Sequence, residues 1–492
     1  MKNWKKYILW FAQEHTDFRQ AEFDSLVQLF NLEYRKISLD SLKPFWILEF
    51  PNEDSVLKIG SRSVGVRAIF ELWSHGQDYK SFHKELKNYI KSNAAATNCW
   101  FKRECSFKIT VETYNKHLLQ KEKVQKIETM DYLPLEGNVD LKSPNVEWWY
   151  IEFWGLDPTN VPETPEDILF GRWLGNGQRH LIKEMSLKKR KFIGNTSMDA
   201  QLSLIMANQA LVQPGDIVFD PFVGTGSLLV SAAKFGGYVL GADIDFMMLH
   251  ARARPSRITQ KVREKDESIR SNLQQYNCET RYLDVVVADF SNPLWRDTIK
   301  FDSIITDPPY GIRESTEKVE TKYNGKPINK DVPHYPSTSH YSLRHLYKDL
   351  LLFAAKHLKN GGRLVCWLPF HKDDYTEKMI PLHKNLRLVS NSEQSLSGQT
   401  ARRLLTYEKH SEPDKNQDFN VIFDESLNLD FRERYFDNAV ESRSERRMRK
   451  AEQRVQGRLE ALKRGKAVLN GRENKCNLNK ARFNHLYNAE SK

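Results

Sequence analysis

An α/β fold is what the second half of this 492-residue sequence predicts: a parallel sheet with helices on both faces, preceded by a smaller α+β module. Three observations carry that expectation. Between 192 and 410, short apolar, β-branched runs alternate with helix-length segments, the pattern of strands buried on both faces. Four of those runs end on an aspartate. Upstream, strand-like and helix-like pieces also alternate, but nothing among them resembles a catalytic constellation.

In chain order, four regions are expected: a module over 1–170, a linker with a basic patch over 171–191, the α/β domain over 192–410, and an extension over 411–492. Within the first, Phe45–Phe50, Phe107–Glu112 and Glu147–Phe153 read as strands. The middle one alternates with period two and predicts one wet and one buried face. Gly137 and Ser143-Pro144-Asn145 mark turns. Three prolines between Asp157 and Glu166 suggest a hinge, and Lys183 with Lys188-Lys189-Arg190-Lys191 supplies the basic patch. The strands of the α/β domain are Asp216–Asp220, Tyr238–Asp243, Leu283–Asp289, Ser303–Asp307 and Gly362–Leu368. Helix N-caps account for one or two terminal acids but poorly for four. Ligands of open α/β sheets bind beyond the carboxyl ends of the strands, so these acids are expected to ring one crevice.

Composition narrows the class. Five scattered cysteines form no CxxC pair, which argues against a zinc site in this chain and against a disulfide framework. No apolar window reaches eighteen residues, and the apolar run in the first fifteen residues is too short for a signal-peptide core. A soluble protein of a reducing compartment is expected. Of the net charge of +11, +9 falls after residue 439, where 15 Lys/Arg meet 6 Asp/Glu. Met448, Ala451, Val455, Leu459 and Leu462 share one helical stripe there. A basic helix of this kind lies on nucleic acid or on a partner, or forms a solvated surface helix.

The sharpest motif is Asp220-Pro221-Phe222-Val223-Gly224-Thr225-Gly226-Ser227. Its glycines let the backbone approach a ligand, but the third glycine of a dinucleotide fingerprint and the Lys-Ser/Thr of a P-loop are missing. An acid before the loop suits a cationic α-amino group. Asp243, ending the second strand, suits a ribose diol, and Asp289, ending the third, an adenine amine. Amino acid, ribose and adenine together make S-adenosylmethionine. The fourth strand ends in Asp307-Pro308-Pro309-Tyr310-Gly311. The prolines remove two backbone donors, so the Asp307 carboxylate and the Pro308 carbonyl form a two-acceptor claw for an exocyclic amine. Tyr310 offers a ring on which a base can stack. No cysteine sits beside the motif, so a cysteine adduct has no support.

At these residues the sequence resembles the class I S-adenosylmethionine-dependent amino-methyltransferases, and more narrowly the eukaryotic tRNA (guanine-10-N2) methyltransferases. The resemblance covers about 1–436. Its further carriers are a THUMP-like pattern from Phe107 to Phe153, Asn195 to Ala200, Gly241 to Asp245, Ser397-Gly398-Gln399, and Phe431 to Phe436. It implies a ferredoxin-like and THUMP module that grips tRNA, and a Rossmann-like, seven-stranded, mostly parallel methyltransferase sheet. It also implies a small zinc-binding activator subunit forming a heterodimer, and a cytoplasmic location. The cofactor set expected is Asp220, Pro221, Phe222, Gly224, Thr225, Gly226, Asp243, Ile244, Asp289 and Phe290, with Thr196 and Ser197 at the methionine end. The catalytic set is Asp307, Pro308, Pro309 and Tyr310, and no metal site is expected. The rivals are a DNA or RNA adenine-N6 methyltransferase (or a DNA cytosine-N4 enzyme) and an inactive RNA-binding module. The THUMP-like half disfavours the DNA enzymes, and the intact acids disfavour the module. A protein-glutamine methyltransferase more often has Asn where Asp307 stands, and no ATP loop supports a thiolation enzyme.

Overall fold

The computed structural model describes residues 4–38, 42–320, 337–413, 421–422, 431–437 and 448. Residues 1–431 form one compact unit, and the chain from Arg432 onward is a second. The tail helix expected over 448–462 lies outside the described residues except for Met448. Among the described residues, no helix is long and apolar enough to cross a membrane.

Two seven-stranded sheets build the first unit. The first contains β1 (Lys5–Phe11), β2 (Arg35–Ser38), β3 (Phe45–Phe50), β4 (Val66–Gly76), β5 (Phe107–Tyr114), β6 (Val146–Phe153) and β7 (Asp167–Asn176). Their order is β2-β3-β1-β4-β7-β6-β5. Only the β5–β6 pair is parallel. The expected boundary at 170 and the linker at 171–191 need correction. β7 crosses that boundary and pairs with both β4 and β6, so this stretch is the seam of the sheet. The alternation expected for Phe107–Glu112 is present: Phe107, Ile109 and Val111 pack on one core, while Lys108 and Thr110 pair with Glu147. Only Val111 is fully buried, since β5 lies at the sheet edge.

The second sheet comprises β8 (Ile217–Asp220), β9 (Tyr238–Asp243), β10 (Tyr282–Val287), β11 (Phe301–Thr306), β14 (Leu358–His371), β15 (Leu386–Ser395) and β16 (Thr400–Lys409). A short hairpin, β12 (Glu317–Val319) with β13 (Thr338–His340), stands apart. The order is β10-β9-β8-β11-β14-β16-β15, with the first five parallel and the last two antiparallel. Successive residues of each central strand face opposite layers. Val218, Ile305 and Val365 join a core with the helices Ala200–Gln209 and Ser227–Lys234. Phe219, Ile304 and Leu364 join another with the helix Leu343–His357. Both faces are therefore covered, as the apolar runs predict.

The two sheets meet through buried polar contacts. Glu22, 2% exposed, lies on the helix Arg19–Leu29. Its carboxylate accepts from the Val64 and Gly65 amides (both 2.9 Å), the Ser63 hydroxyl (2.8 Å) and Asn208 Nδ2 (2.8 Å). Asn208 belongs to the helix Ala200–Gln209 of the second half. Nearby, Arg363 of β14 donates to Ser25 Oγ, to the Gln209 carbonyl (2.8 Å), to Glu408 (3.0 Å) and to Gln28. Glu22→Ala leaves several buried donors unpaired, each costing about 1–3 kcal/mol. We expect a loss of at least about 3 kcal/mol, read as a lowered urea midpoint.

Candidate active site

The strand order of the second sheet reverses between β8 and β11, which opens a crevice beyond their carboxyl ends. The loop leaving β8 forms one wall. Gly224 and Gly226 take the left-handed conformation, with φ of +49° and +76°. A Cβ on Gly226 would meet Ile269 at 2.7 Å, whereas one on Gly224 would meet nothing within 4 Å. Gly226 is thus required by packing, and Gly224 by the turn and the open space before it. The Gly226 amide closes the turn onto the Val223 carbonyl. Ser227 opens the following helix, and its hydroxyl accepts from buried Arg190 (2.8 Å).

Two of the expected acids hold this loop in place. Asp243 Oδ2 accepts the Gly224 amide (2.8 Å), and Oδ1 the Asp245 amide (2.9 Å). Burial pushes its carboxyl up to about 6 against the pull of those amides. Asp220 Oδ1 accepts the Phe222 amide (3.1 Å) and the Thr306 hydroxyl (2.7 Å). Asp220 is 1% exposed, and burial raises its carboxyl to about 8. Each carboxylate oxygen has two lone pairs, so both acids keep acceptor capacity after holding the loop. Pro221 is buried, Phe222 packs edge-on against Phe290 at 5.0 Å, and half-buried Ile244 follows Asp243.

The third acid sits differently from expectation. β10 ends at Val287, so Asp289 lies beyond the strand. There its carboxylate accepts from the Ser291 amide (2.8 Å), the Ser291 hydroxyl (2.9 Å) and the Val319 amide (2.7 Å). It therefore ties the segment after the Pro-Pro-Tyr motif to the β9–β10 side of the crevice. Thr196 and Ser197 come to the same place. Ser197 Oγ lies 2.6 Å from Thr225 Oγ1, and Thr196 Oγ1 donates to Glu314 (2.9 Å).

Asp307 lies one residue past β11, facing this loop. The Tyr310 hydroxyl donates to its Oδ1, and Arg402 Nη1 lies 3.2 Å from its Oδ2. Burial raises the Asp307 carboxyl, opposed by the Arg402 charge and by both hydrogen bonds. Pro308 is buried and Pro309 half-buried, and Gly311 turns the chain at φ +79°. Sequence reasoning missed Arg402. The available signal was an Arg-Arg pair flanked by Ala401 and Leu404-Leu405, three residues after Gln399. Among the described residues, no group of three His, Cys, Asp or Glu is placed to hold a metal ion.

A glycine loop after the first strand of such a sheet, acids after the next two, and Asp-Pro-Pro-Tyr after the fourth define a class I methyltransferase. A family model described as the Tmrp11 THUMP N-terminal domain matches residues 5–179, and one described as RMKL-like, methyltransferase domain matches 188–324. The tRNA (guanine(10)-N(2))-methyltransferase TRMT11 of Bos taurus is 46% identical, across 88% of this chain and 95% of its own. The tRNA (guanine(10)-N(2))-methyltransferase of Saccharomyces cerevisiae is 34% identical, across 88% and 99%. Among solved structures, TrmN from Thermus thermophilus aligns over 82% of this chain and 99% of its own, at 17% identity and a TM-score of 0.39. The chain belongs to the tRNA (guanine(10)-N(2))-methyltransferase family.

The two glycines separate fold from ligand space. Gly226→Ala should cost about 1–3 kcal/mol, through left-handed strain and the clash with Ile269. Gly224→Ala carries only the strain, about 1–2 kcal/mol. Urea midpoints of the two variants check the ranking.

Proposed function

We propose that this chain is a tRNA methyltransferase that moves a methyl group from S-adenosylmethionine to the exocyclic N2 of guanine 10. The observation that supports the reading is that Thr306, the residue before Asp307, donates to Asp220 at the root of the glycine loop, which brings the Asp307 and Asp220 carboxyls into each other's field. The donor set fits the cofactor. Asp220 and Asp243 are held up by burial, and neighbouring acids add to the rise, so the pocket favours a ligand bringing positive charge. S-adenosylmethionine brings two positive centres, an ammonium and a sulfonium, and when bound supplies an electrophilic methyl group. Asp220, Pro221, Phe222, Gly224, Thr225 and Gly226 hold the methionine side, with Thr196 and Ser197 across from Thr225. Asp243 and Ile244 take the ribose, and Asp289 and Phe290 the adenine.

On the substrate side, Tyr310 leaves Asp307 to stack on the flipped base. One amine N–H then donates to the Asp307 carboxylate and the other to the Pro308 carbonyl. The guanine amine lone pair is normally delocalised into the ring. Two acceptors below it draw the nitrogen toward tetrahedral geometry and restore that pair for in-line attack. As the N–C bond forms and the S–C bond breaks, positive charge passes to the nitrogen. Asp307 stabilises that charge, takes the departing proton and returns it to water.

The tRNA is gripped by the first sheet and its helices, consistent with the THUMP match. A small zinc-binding subunit and a cytoplasmic location follow from the family resemblance. A place for such a partner is the edge strand β10, where Leu283 and Val287 are 48% and 42% exposed.

The test is methyl transfer to an unmodified tRNA transcript from radiolabelled S-adenosylmethionine, with and without the zinc-binding subunit. N2-methylguanosine in the digest is expected. Methyladenosine moves the assignment to an adenine-N6 enzyme, and tight tRNA binding without label moves it to an inactive module. Asp307→Ala should lower kcat about 10²–10³-fold or more while cofactor affinity holds within a few-fold. Near-normal turnover in that variant sinks the claw.

A further inference from the structure

Arg402, on β16, is 8% exposed, and its surroundings are unusual for a structural arginine. Nε donates to Gln394 Oε1 (2.7 Å). Nη1 is shared between Asp307 Oδ2 and the Tyr310 hydroxyl, both at 3.2 Å. Among the described residues Nη2 finds only the Met198 sulfur, at 3.3 Å, and the guanidinium lies 4.0 Å over the Trp367 ring. A thioether is a weak acceptor. Arg363, in contrast, gives every nitrogen an oxygen partner and joins the two sheets. A buried guanidinium is costly unless its donors are matched, so Arg402 is poorly explained by stability alone. Its 3.2 Å contact to Asp307 is also longer than the 2.7–2.9 Å usual for a charge-assisted pair, which leaves the carboxylate room to engage a substrate amine.

We infer that Arg402 is a positioning residue for methyl transfer: it orients the Asp307 carboxylate and holds it ionised for the incoming amine. This rests on the reading of Asp307 given above. Among the described residues, Arg402 is the one cation facing Asp307; the Tyr310 hydrogen bond also favours the carboxylate, and the remaining groups disfavour its charge. Asp220 approaches from β8, Cys366 from β14 and Tyr347 from the helix Leu343–His357. Tyr310 donates a hydrogen bond but carries no charge, since burial and Asp307 raise its phenol well above the ordinary range. Burial is the largest influence on Asp307 and pushes its carboxyl up, with the Arg402 charge the largest opposing one. Without Arg402, the carboxyl keeps its proton to higher pH. A protonated Asp307 then accepts the amine less well and cannot take its proton.

The experiment is steady-state kinetics of the full-length chain on tRNA across pH, comparing wild type with Arg402→Gln and Arg402→Lys. S-adenosylmethionine affinity is measured alongside by calorimetry. For Arg402→Gln we expect kcat to fall about 10²-fold, with KM for tRNA and cofactor Kd within about threefold. The acid limb of kcat/KM should move up by about one pH unit or more, so the deficit narrows at high pH. Arg402→Lys keeps a charge but loses the Nε contact to Gln394 and the planar stacking on Trp367 that fix the guanidinium. Its acid limb should stay near wild type while kcat remains reduced. A Gln variant with an unmoved limb, or with wild-type kcat, overturns the inference, as does a loss confined to cofactor affinity. If the Gln variant does not fold, the Lys variant decides alone, and wild-type kcat there overturns the proposal. Should Asp307→Ala be active, the reading of the site itself fails. Should Asp307→Ala be inactive while Arg402→Gln is normal, only the inference about Arg402 fails.

Discussion

The helix Ala200–Gln209 is the part on which the rest of this molecule turns. All ten of its residues are buried. At its carboxyl end, Asn208 reaches Glu22 and Arg62 of the first half. At its amino end, Asp199 caps it by accepting the Leu202 amide. The residues just before it, Thr196, Ser197 and Met198, touch Glu314, Thr225 and Arg402. One rigid element thus joins the interdomain seam to the crevice. The seam is polar and buried, so its geometry is specific: Glu22 is satisfied only while Asn208 and the Ser63–Gly65 turn keep their places. The first half is therefore set at a fixed distance and angle from the glycine loop, which suits a substrate gripped at one place and modified at another.

The crevice itself runs against stability. Asp220 is buried with its carboxyl raised to about 8, far above the ordinary value of an unfolded chain. As pH rises from the usual carboxylate range toward 8, the unfolded chain loses this proton first, and the folded state is progressively disfavoured. Asp243, raised to about 6, acts the same way over a narrower span. A structural protein would neutralise such acids with a local cation, as Arg363 serves Glu408. Here the acids hold the loop through their oxygens, and in the proposed reading a positively charged ligand complements them.

Much of this was legible in the sequence. Continuous apolar runs marked the central parallel strands because both their faces are covered, whereas β10, at the sheet edge, has no buried residue; Tyr238–Asp243 and Phe45–Phe50 coincide with β9 and β3. The Asp220 loop, Asp243 and Asp307 stood out because glycines, prolines and acids at strand ends have few other uses. The antiparallel pair β15–β16 was not legible. It carries Arg387, Glu393, Arg402, Arg403 and Glu408 among its apolar residues; Arg387–Glu408 and Arg403–Glu393 pair across the hairpin, while Glu408 and Arg402 also reach Gln28 and Asp307, far away in the chain. β7 was hidden for a similar reason. Its Arg172 pairs with Glu53 and Glu71, far away in the chain, so a buried strand passed for a linker. β5 was legible from its alternation: Phe107, Ile109 and Val111 face one core, though the strand's place at the sheet edge leaves the first two only partly buried.

Thr306 and Asp307 show how closely the two sides of the reaction are joined. The Thr306 hydroxyl donates to Asp220 at the root of the glycine loop, and the next residue presents the carboxylate facing that loop. In the reaction proposed above, two adjacent residues at the end of one strand thus address the donor side and the acceptor side. Their separation is fixed by covalent geometry and by the β8–β11 pairing of Ser303 with Val218 and Ile304 with Phe219. No loop closure is needed to set it. In that reading, an Asp307 fixed relative to the glycine loop lowers the orientational cost of bringing the two bound ligands together. The remaining freedom is that of the Asp307 side chain, and the antiparallel strand β16 supplies the arginine that restrains it.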